Sequence, residues 1–169
     1  MITIRSETAV DRRAVREVNE RAFDRPNEAA LVDAVCAAAD PIVSLVAIDN
    51  EHVVGHILFS PVSIEDDDSG RLAMGLAPMA VLPDYQRQGI GSQLVRAGLN
   101  ECQRIGCSVV VVLGHPEYYP RFGFIPASRK GLRSEYPVPD EVFMIVELKH
   151  GALDNRRGLI KYHPEFAEH

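Results

Sequence analysis

One segment of the sequence places a strand end, a glycine-containing loop and a helix start in direct succession, from Ala80 to Ser92 (AVLPDYQRQGIGS). The first turn of a helix leaves backbone N–H groups without partners, and the helix dipole adds about half a positive charge there. Gly89 and Gly91 carry no Cβ, so the backbone can come close to a bound anion. The segment therefore predicts a binding site for a phosphate or pyrophosphate group.

The hydrophobic pattern on both sides of this segment predicts strands and helices in a mixed order. Expected strands cover residues 2–5, 42–48, 53–64, 72–82, 108–113 and 142–148, and expected helices cover residues 8–23, 27–38 and 90–105. A turn or short helix is expected at 116–121, followed by a polar loop after Phe124. This order predicts an α/β or α+β domain built on a mixed sheet.

Two of the expected strands have unusual sequences. The segment 108–113 contains four consecutive valines, which is typical of a strand buried on both faces. The segment 72–82 is interrupted by Gly75 and Pro78, and proline has no N–H to give to a neighbouring strand. We therefore expect a bulge or a splayed edge at Pro78.

The composition fits one domain, which we expect to cover residues 1–169 with a core at 2–148 and a C-terminal extension at 149–169. With 46% hydrophobic residues, the chain can form a full core without a metal or a disulfide, and we expect its three cysteines to be reduced. No signal peptide or membrane segment is recognisable, so we expect a cytoplasmic protein without a membrane partner. The net charge of −6 argues against nucleic acid as a partner.

Three other ligand-binding motifs fail on spacing. A Walker loop needs a Gly-Lys-Ser/Thr ending, which is absent, and a dinucleotide fingerprint needs three glycines and an acidic residue about 20 positions further on. The acidic run at 66–68 lacks the alternating ligand spacing of a calcium loop, so we interpret it as a solvated turn and expect no metal site.

The remaining pattern, Gln86-x-x-Gly89-x-Gly91, resembles the pyrophosphate loop of the GNAT superfamily of N-acetyltransferases. The resemblance extends to the sequence before it, MAVLP at 79–83, and to YYPRFGF at 118–124, which is similar to the family's aromatic-Tyr-x-x-x-Gly-Phe signature. The closing YHPEF at 162–166, with Gly55-His56 and LGHP at 113–116, is similar to one bacterial subgroup of small stand-alone members.

The resemblance implies a GNAT-like fold in which two strands, 72–82 and 108–113, splay around acetyl-CoA. Family backbone contacts, carried over by position, fall on Met79, Ala80 and Val81 for the pantetheine arm and the acetyl carbonyl. For the pyrophosphate they fall on Arg87, Gln88, Gly89, Ile90, Gly91 and Ser92. The cofactor implied is acetyl-CoA as cosubstrate, without a metal.

The family mechanism is direct attack of a primary amine on the thioester. Tyr119, four residues before Gly123, matches the family's general acid, and a phenol with a pKa of about 10 keeps its proton at neutral pH. Tyr118 is interpreted as a packing residue. The valine strand offers no carboxylate as general base, which leaves Glu28, Glu117, His115 or ordered water as alternatives.

The acceptor implied is an amine on a small molecule or a peptide, and no sequence motif identifies it. A non-catalytic acyl-CoA sensor and an O-acyltransferase are the alternative functions. The strand residue His56 is interpreted as structural rather than as a substrate contact, and the basic residues at 129, 130 and 133 as a solvated loop rather than a 3′-phosphate site. Exposed edges of a splayed sheet make a homodimer a candidate assembly.

Overall fold

The computed structural model describes residues 1–65, 67, 69–154 and 156–168. Its helices are α1 Arg12–Phe23, α2 Asn27–Ala38, α3 Ile90–Arg104 and α4 Glu165–Glu168. Its strands are β1 Ile2–Ser6, β2 Val43–Asp49, β3 His52–Ile64, β4 Ala73–Val81, β5 Val109–Leu113, β6 Ile125–Pro126, β7 Leu132–Ser134, β8 Phe143–Glu147 and β9 Gly158–Lys161. Asp66 and Asp68 of the expected acidic turn lie outside the described residues.

Local sequence signals account for the helix ends. Ahead of α1, the backbone N–H of Thr8 donates to Asp11 Oδ2 (2.8 Å), and Arg5 Nη1 donates to the same oxygen (2.7 Å). The hydrogen bond from Arg5 is the main reason why the pKa of Asp11 lies well below its usual range. Helix α3 ends at Arg104, and Gly106, two residues later, has a left-handed φ of 90°, which is common just after a helix end.

The predicted mixed sheet is confirmed. The main path runs β1-β2-β3-β4-β5-β8-β6, and β9 pairs with both β3 and β7. Neighbours on the main path are antiparallel except β4 and β5, which run parallel. The parallel connection passes through α3, which covers one face of the sheet.

The bulge expected at Pro78 is present. Ile57 pairs with Met79, and Phe59 pairs with Leu76. Between these pairs, the single residue Leu58 of β3 lies opposite two residues of β4, one of which is Pro78. On the other side of β4, pairing with β5 ends at Leu76↔Val112, although β4 continues to Val81. The two parallel strands therefore separate into a V after Leu76.

The two faces of the sheet carry different layers. On one face, Met74 and Val112 pack with residues of α3 in a core cluster. On the opposite face, α1 and α2 cover one part through a cluster that includes Val32 and Leu58, and the C-terminal segment covers another part through Tyr162. Phe166 packs against both of these clusters and so closes the seam between them.

The segment after Phe124 differs from the expected polar loop, because it contains β6, β7 and two short 3₁₀ turns. The expected C-terminal extension also contributes to the sheet through β9. The three strands β6, β7 and β9 are only two to four residues long and pair with partners far away in sequence, so no local alternation marks them. No helix within the described ranges is long and apolar enough to cross a membrane.

Candidate active site

The loop between β4 and α3 adopts a backbone suited to an anion. Arg87 and Gly89 have positive φ angles of 64° and 83°, and Gly89 is the N-cap of α3. The first backbone hydrogen bond into the helix runs from Gln93 N–H to the Gly89 carbonyl (3.1 Å), so the N–H groups of residues 90–92 point out of the helix end. The loop therefore presents backbone donors in a concave turn.

Two glutamine side chains hold this loop in shape. Gln86 Nε2 donates to the carbonyl oxygen of Val81 (3.0 Å), which ties the loop to the end of β4. Gln88 Nε2 donates to the carbonyl oxygen of Asp84 (3.2 Å) within the loop. Both side chains therefore act on the loop itself, and the predicted contribution of Gln88 to ligand binding rests on its backbone.

A cavity of about 440 Å³ opens at this loop. Six of the nine predicted cofactor-binding positions line it, namely Val81, Arg87, Gly89, Ile90, Gly91 and Ser92. The other lining residues are Tyr85, Gln86, Tyr118 and Arg121. The structure therefore brings the end of β4, the start of α3 and the segment after β5 together around one space.

Of the three remaining predicted cofactor positions, Met79 and Ala80 lie on β4 and Gln88 lies in the loop before α3. Met79 is half-buried, and its Sδ lies 3.6 Å from the point where a Cβ on Gly91 would stand. Ala80 is buried and pairs with His56 of β3. The hydroxyl of Tyr118 lies 3.4 Å from that same Cβ position, so Met79 and Tyr118 meet at Gly91.

The two adjacent tyrosines have different environments. The hydroxyl groups of Tyr118 and Ser92 are hydrogen-bonded at 2.9 Å. Tyr119 is only 7% exposed, packs edge-on against Phe124, and makes no side-chain hydrogen bond to a described residue. Burial, with a smaller contribution from Tyr118, raises the pKa of Tyr119 to about 12. Tyr119 therefore carries a neutral hydroxyl that is free to donate.

The candidate bases lie in different places. Glu28, in the first turn of α2, accepts a hydrogen bond from Arg25 Nε (2.9 Å), and this interaction lowers the pKa of Glu28. His115 and Glu117 line a second cavity of about 440 Å³ that shares Tyr118 and Arg121 with the first. Of the three residues, Glu28 lines neither of these two cavities.

His56 is part of a buried hydrogen-bonded chain. Ser44 Oγ donates to Glu7 Oε1 (2.6 Å), so His56 Nε2 donates to Ser44 Oγ (2.8 Å) and Nδ1 accepts from Asn19 Nδ2 (3.3 Å). These hydrogen-bond directions mean that the imidazole ring of His56 is neutral and carries its proton on Nε2. Burial lowers the pKa of His56 to about 3, and the charge of Arg12 adds to this effect.

Arg121 and Tyr85 also line the first cavity, and neither residue was predicted from the sequence to be part of the site. Arg121 lies three residues after Tyr118 in a predicted turn or short helix, and this spacing places the two side chains on one face. That spacing is the sequence signal from which the position of Arg121 could have been predicted. The basic loop residues lie elsewhere: Lys130 pairs with Glu147 (3.5 Å) and Arg133 with Glu65 (3.8 Å). Among the described residues, no group of three or more His, Cys, Asp or Glu side chains could hold a metal ion.

The chain is similar to several known proteins. The family model described as "Acetyltransferase (GNAT) domain" matches residues 40–126. The Escherichia coli K12 protein YjhQ, named an uncharacterized N-acetyltransferase, is 43% identical over 130 residues, covering 75% of this chain and 72% of YjhQ. The E. coli K12 protein YhbS, named in the same way, is 36% identical over 164 residues, covering 96% of this chain and 97% of YhbS.

Two solved structures are also similar. The crystal structure of YhbS from E. coli in complex with CoA has a TM-score of 0.91 at 35% identity, over 98% of this chain and 92% of that chain. A GNAT family acetyltransferase from Brucella melitensis, in complex with acetyl-CoA, has a TM-score of 0.80 at 35% identity, over 98% of both chains.

The fold and these relatives define an acetyl-CoA-dependent acyltransferase. The chain belongs to the GNAT acetyltransferase family, and its curated relatives are small bacterial N-acetyltransferases.

Proposed function

We propose that this protein transfers an acetyl group from acetyl-CoA to a primary amine by direct attack on the thioester. The proposal rests on one observation: β4 and β5 separate after Leu76 at the same end of the sheet where the loop before α3 opens the first cavity. A cofactor with its pyrophosphate at that loop would extend its pantetheine arm into the V. The CoA and acetyl-CoA complexes of the two similar structures support this placement.

In this arrangement the backbone N–H groups of residues 87–92 hold the pyrophosphate, and α3 contributes its dipole. Met79, Ala80 and Val81 lie along the pantetheine arm. Near Met79 or Ala80, a strand N–H released by the splay stabilises the oxyanion that forms when the amine attacks. The chain thus brings the two reactants together and stabilises developing charge.

Protons are handled by side chains at the open end of β5. Tyr119 donates its proton to the departing CoA thiolate, and its raised pKa keeps that proton available at neutral pH. His115 and Glu117 are better placed than Glu28 to act as the base, because both line the cavity that shares Tyr118 with the first one. Glu28 would first have to leave its ion pair with Arg25.

The experiment is a calorimetric titration of the purified protein with acetyl-CoA, followed by thiol release across polyamines, amino acids, aminoglycosides and peptides. We expect binding and amine-dependent release of CoA. Binding without release for every amine would favour the acyl-CoA sensor, and release that requires a hydroxyl acceptor would favour O-acyl transfer. Absence of acetyl-CoA binding would refute the proposal.

A further inference from the structure

Arg121 lies at the first cavity of a protein that carries a net charge of −6. Several of the described arginines form ion pairs, such as Arg5 with Asp11 and Arg12 with Glu7. Within the described part of the chain, Arg121 has no carboxylate within ion-pair distance, although Glu117 lines the neighbouring cavity with it. Its charge is therefore available to an anion.

The guanidinium of Arg121 is nevertheless fixed in position. Its Nε donates to the carbonyl oxygen of Tyr118 (2.9 Å), and its Cζ lies 4.5 Å from the centroid of the Tyr118 ring. This geometry is a cation–π contact, which leaves the Nη groups free to donate. An exposed arginine usually loses rotamer entropy when it binds a ligand, and this one is partly ordered beforehand.

Tyr118 is itself fixed at its other end. Its hydroxyl is hydrogen-bonded to Ser92 Oγ (2.9 Å), in the first turn of α3, where the unpaired backbone N–H groups lie. Ser92, Tyr118 and Arg121 therefore form a connected unit, the Ser92-Tyr118-Arg121 clamp, which crosses from the helix start to the segment after β5. All three residues line the first cavity.

We propose that Arg121 binds a phosphate group of the cofactor and that Tyr118 is the positioning residue that holds it there. The inference rests on the proposed function, because it presumes that the first cavity takes CoA. It adds a side-chain contact to a site otherwise built from backbone donors. A guanidinium offers two parallel donors to phosphate oxygens, which an ammonium does not. CoA has a pyrophosphate and a 3′-phosphate, and Arg121 can bind either.

The test measures dissociation constants for CoA, dephospho-CoA and acetyl-pantetheine with the wild-type protein and with Arg121→Ala. Loss of a charge-assisted hydrogen bond weakens binding by roughly 10- to 100-fold. We expect that loss for CoA and no change for acetyl-pantetheine, which has no phosphate. An equal loss for dephospho-CoA would assign the contact to the pyrophosphate, and a loss for CoA alone would assign it to the 3′-phosphate.

Three further variants separate charge, positioning and general packing. Arg121→Lys keeps the charge and should bind CoA with intermediate affinity. Tyr118→Phe keeps the ring but loses the bond to Ser92, so CoA affinity should fall about 2- to 10-fold. Arg96→Ala is the matched control, because Arg96 lies 5.1 Å above the Phe122 ring without lining the first cavity. Its CoA affinity should equal that of the wild type.

An unchanged CoA affinity in Arg121→Ala, or an equal loss of affinity for acetyl-pantetheine, would overturn the inference. If the wild-type protein bound no CoA, the proposed function itself would fail, which is a different result. Arg121 is exposed, so the variant should fold, and its unfolding temperature would be recorded beside the affinities.

Discussion

The ring of Tyr119 lies so close to Gly114 that a Cβ at position 114 would overlap the ring carbons Cδ2 and Cε2. Gly114 is the first residue after β5, at the open end of the V between β4 and β5. The absence of a side chain there lets the tyrosine ring settle against the strand end. The position of the proposed general acid therefore depends on a glycine that lines neither the first nor the second cavity.

Gly114→Ala should displace Tyr119 and lower turnover. Overpacking of a buried ring costs about 1–3 kcal/mol of unfolding free energy. Because Gly114 does not line the first cavity, the CoA affinity should stay within about twofold of the wild type. A twofold change is well below the roughly 1.4 kcal/mol of binding free energy that a tenfold change represents. Steady-state kinetics, calorimetric titration and denaturant unfolding measure the three effects.

Gly98→Ala is the matched control for this variant. A Cβ at Gly98 of α3 would overlap the ring of Phe59 in the core, with a similar cost in stability. Because Phe59 lines no part of the first cavity, kcat of the folded fraction should be unchanged. Equal losses of kcat in the two variants would mean that the effect of Gly114→Ala is one of general stability.

Tyr119→Phe should lower kcat by about 10²- to 10⁴-fold, the usual contribution of a positioned general acid. The ring remains, so packing against Phe124 and CoA affinity should be retained. Tyr136→Phe, in the aromatic cluster with Tyr162, removes a hydroxyl far from the V and should keep wild-type turnover. Full activity of Tyr119→Phe would assign the tyrosine to packing and leave proton donation to water.

The neutral His56 predicts a loss of stability in mild acid. Its folded pKa is about 3, whereas an unfolded histidine has a pKa of about 6.5. As pH falls through that window, the unfolded chain takes up a proton that the folded chain does not bind, so the unfolding free energy falls. The limiting slope for one proton is about 1.4 kcal/mol per pH unit.

Urea unfolding between pH 4 and pH 7 measures this slope. His56→Gln keeps an amide that can donate to Ser44 and accept from Asn19, and it does not titrate. Its stability should therefore depend on pH less steeply than that of the wild type. The same slope in both proteins would assign the acid sensitivity to other groups.

Two serines on neighbouring strands should respond in opposite ways to removal of their hydroxyls. Ser60 Oγ is buried and has no hydrogen-bond partner among the described residues. Ser60→Ala should therefore raise the free energy of unfolding by about 1 kcal/mol. Ser44 bonds to both Glu7 and His56, so Ser44→Ala should cost about 1–3 kcal/mol. A clear loss of unfolding free energy in Ser60→Ala would show that its hydroxyl has a partner in solution.

Local signals in the sequence predicted most of the elements around the site. Pro78 indicated the bulge because proline cannot donate to a strand, and the apolar spacing over 90–105 indicated α3, which ends at Arg104. The loop from Gln86 to Ser92 predicted a binding site for phosphate or pyrophosphate, since unpaired helix N–H groups and glycines are local properties. In each case the physical cause lies within a few residues of the chain.

Features that depend on distant residues could not be predicted in this way. β9 pairs with β3 across about 95 positions of sequence, and its four residues show no alternation long enough to identify a strand. A role for Arg121 could not be predicted from its neighbours in sequence, because only the fold brings it to the same cavity as Ser92. The environments of Tyr118 and Tyr119 likewise depend on which ring the fold turns toward α3 and which toward Gly114.

A crystal structure of this protein with acetyl-CoA tests the proposed function most directly. We expect pyrophosphate oxygens within hydrogen-bond distance of backbone N–H groups between Arg87 and Ser92, with the thioester between β4 and β5 beside Met79 and Ala80. The Tyr119 hydroxyl should face the thioester sulfur. A cofactor bound outside the V, or a pyrophosphate without contacts to this loop, would contradict it.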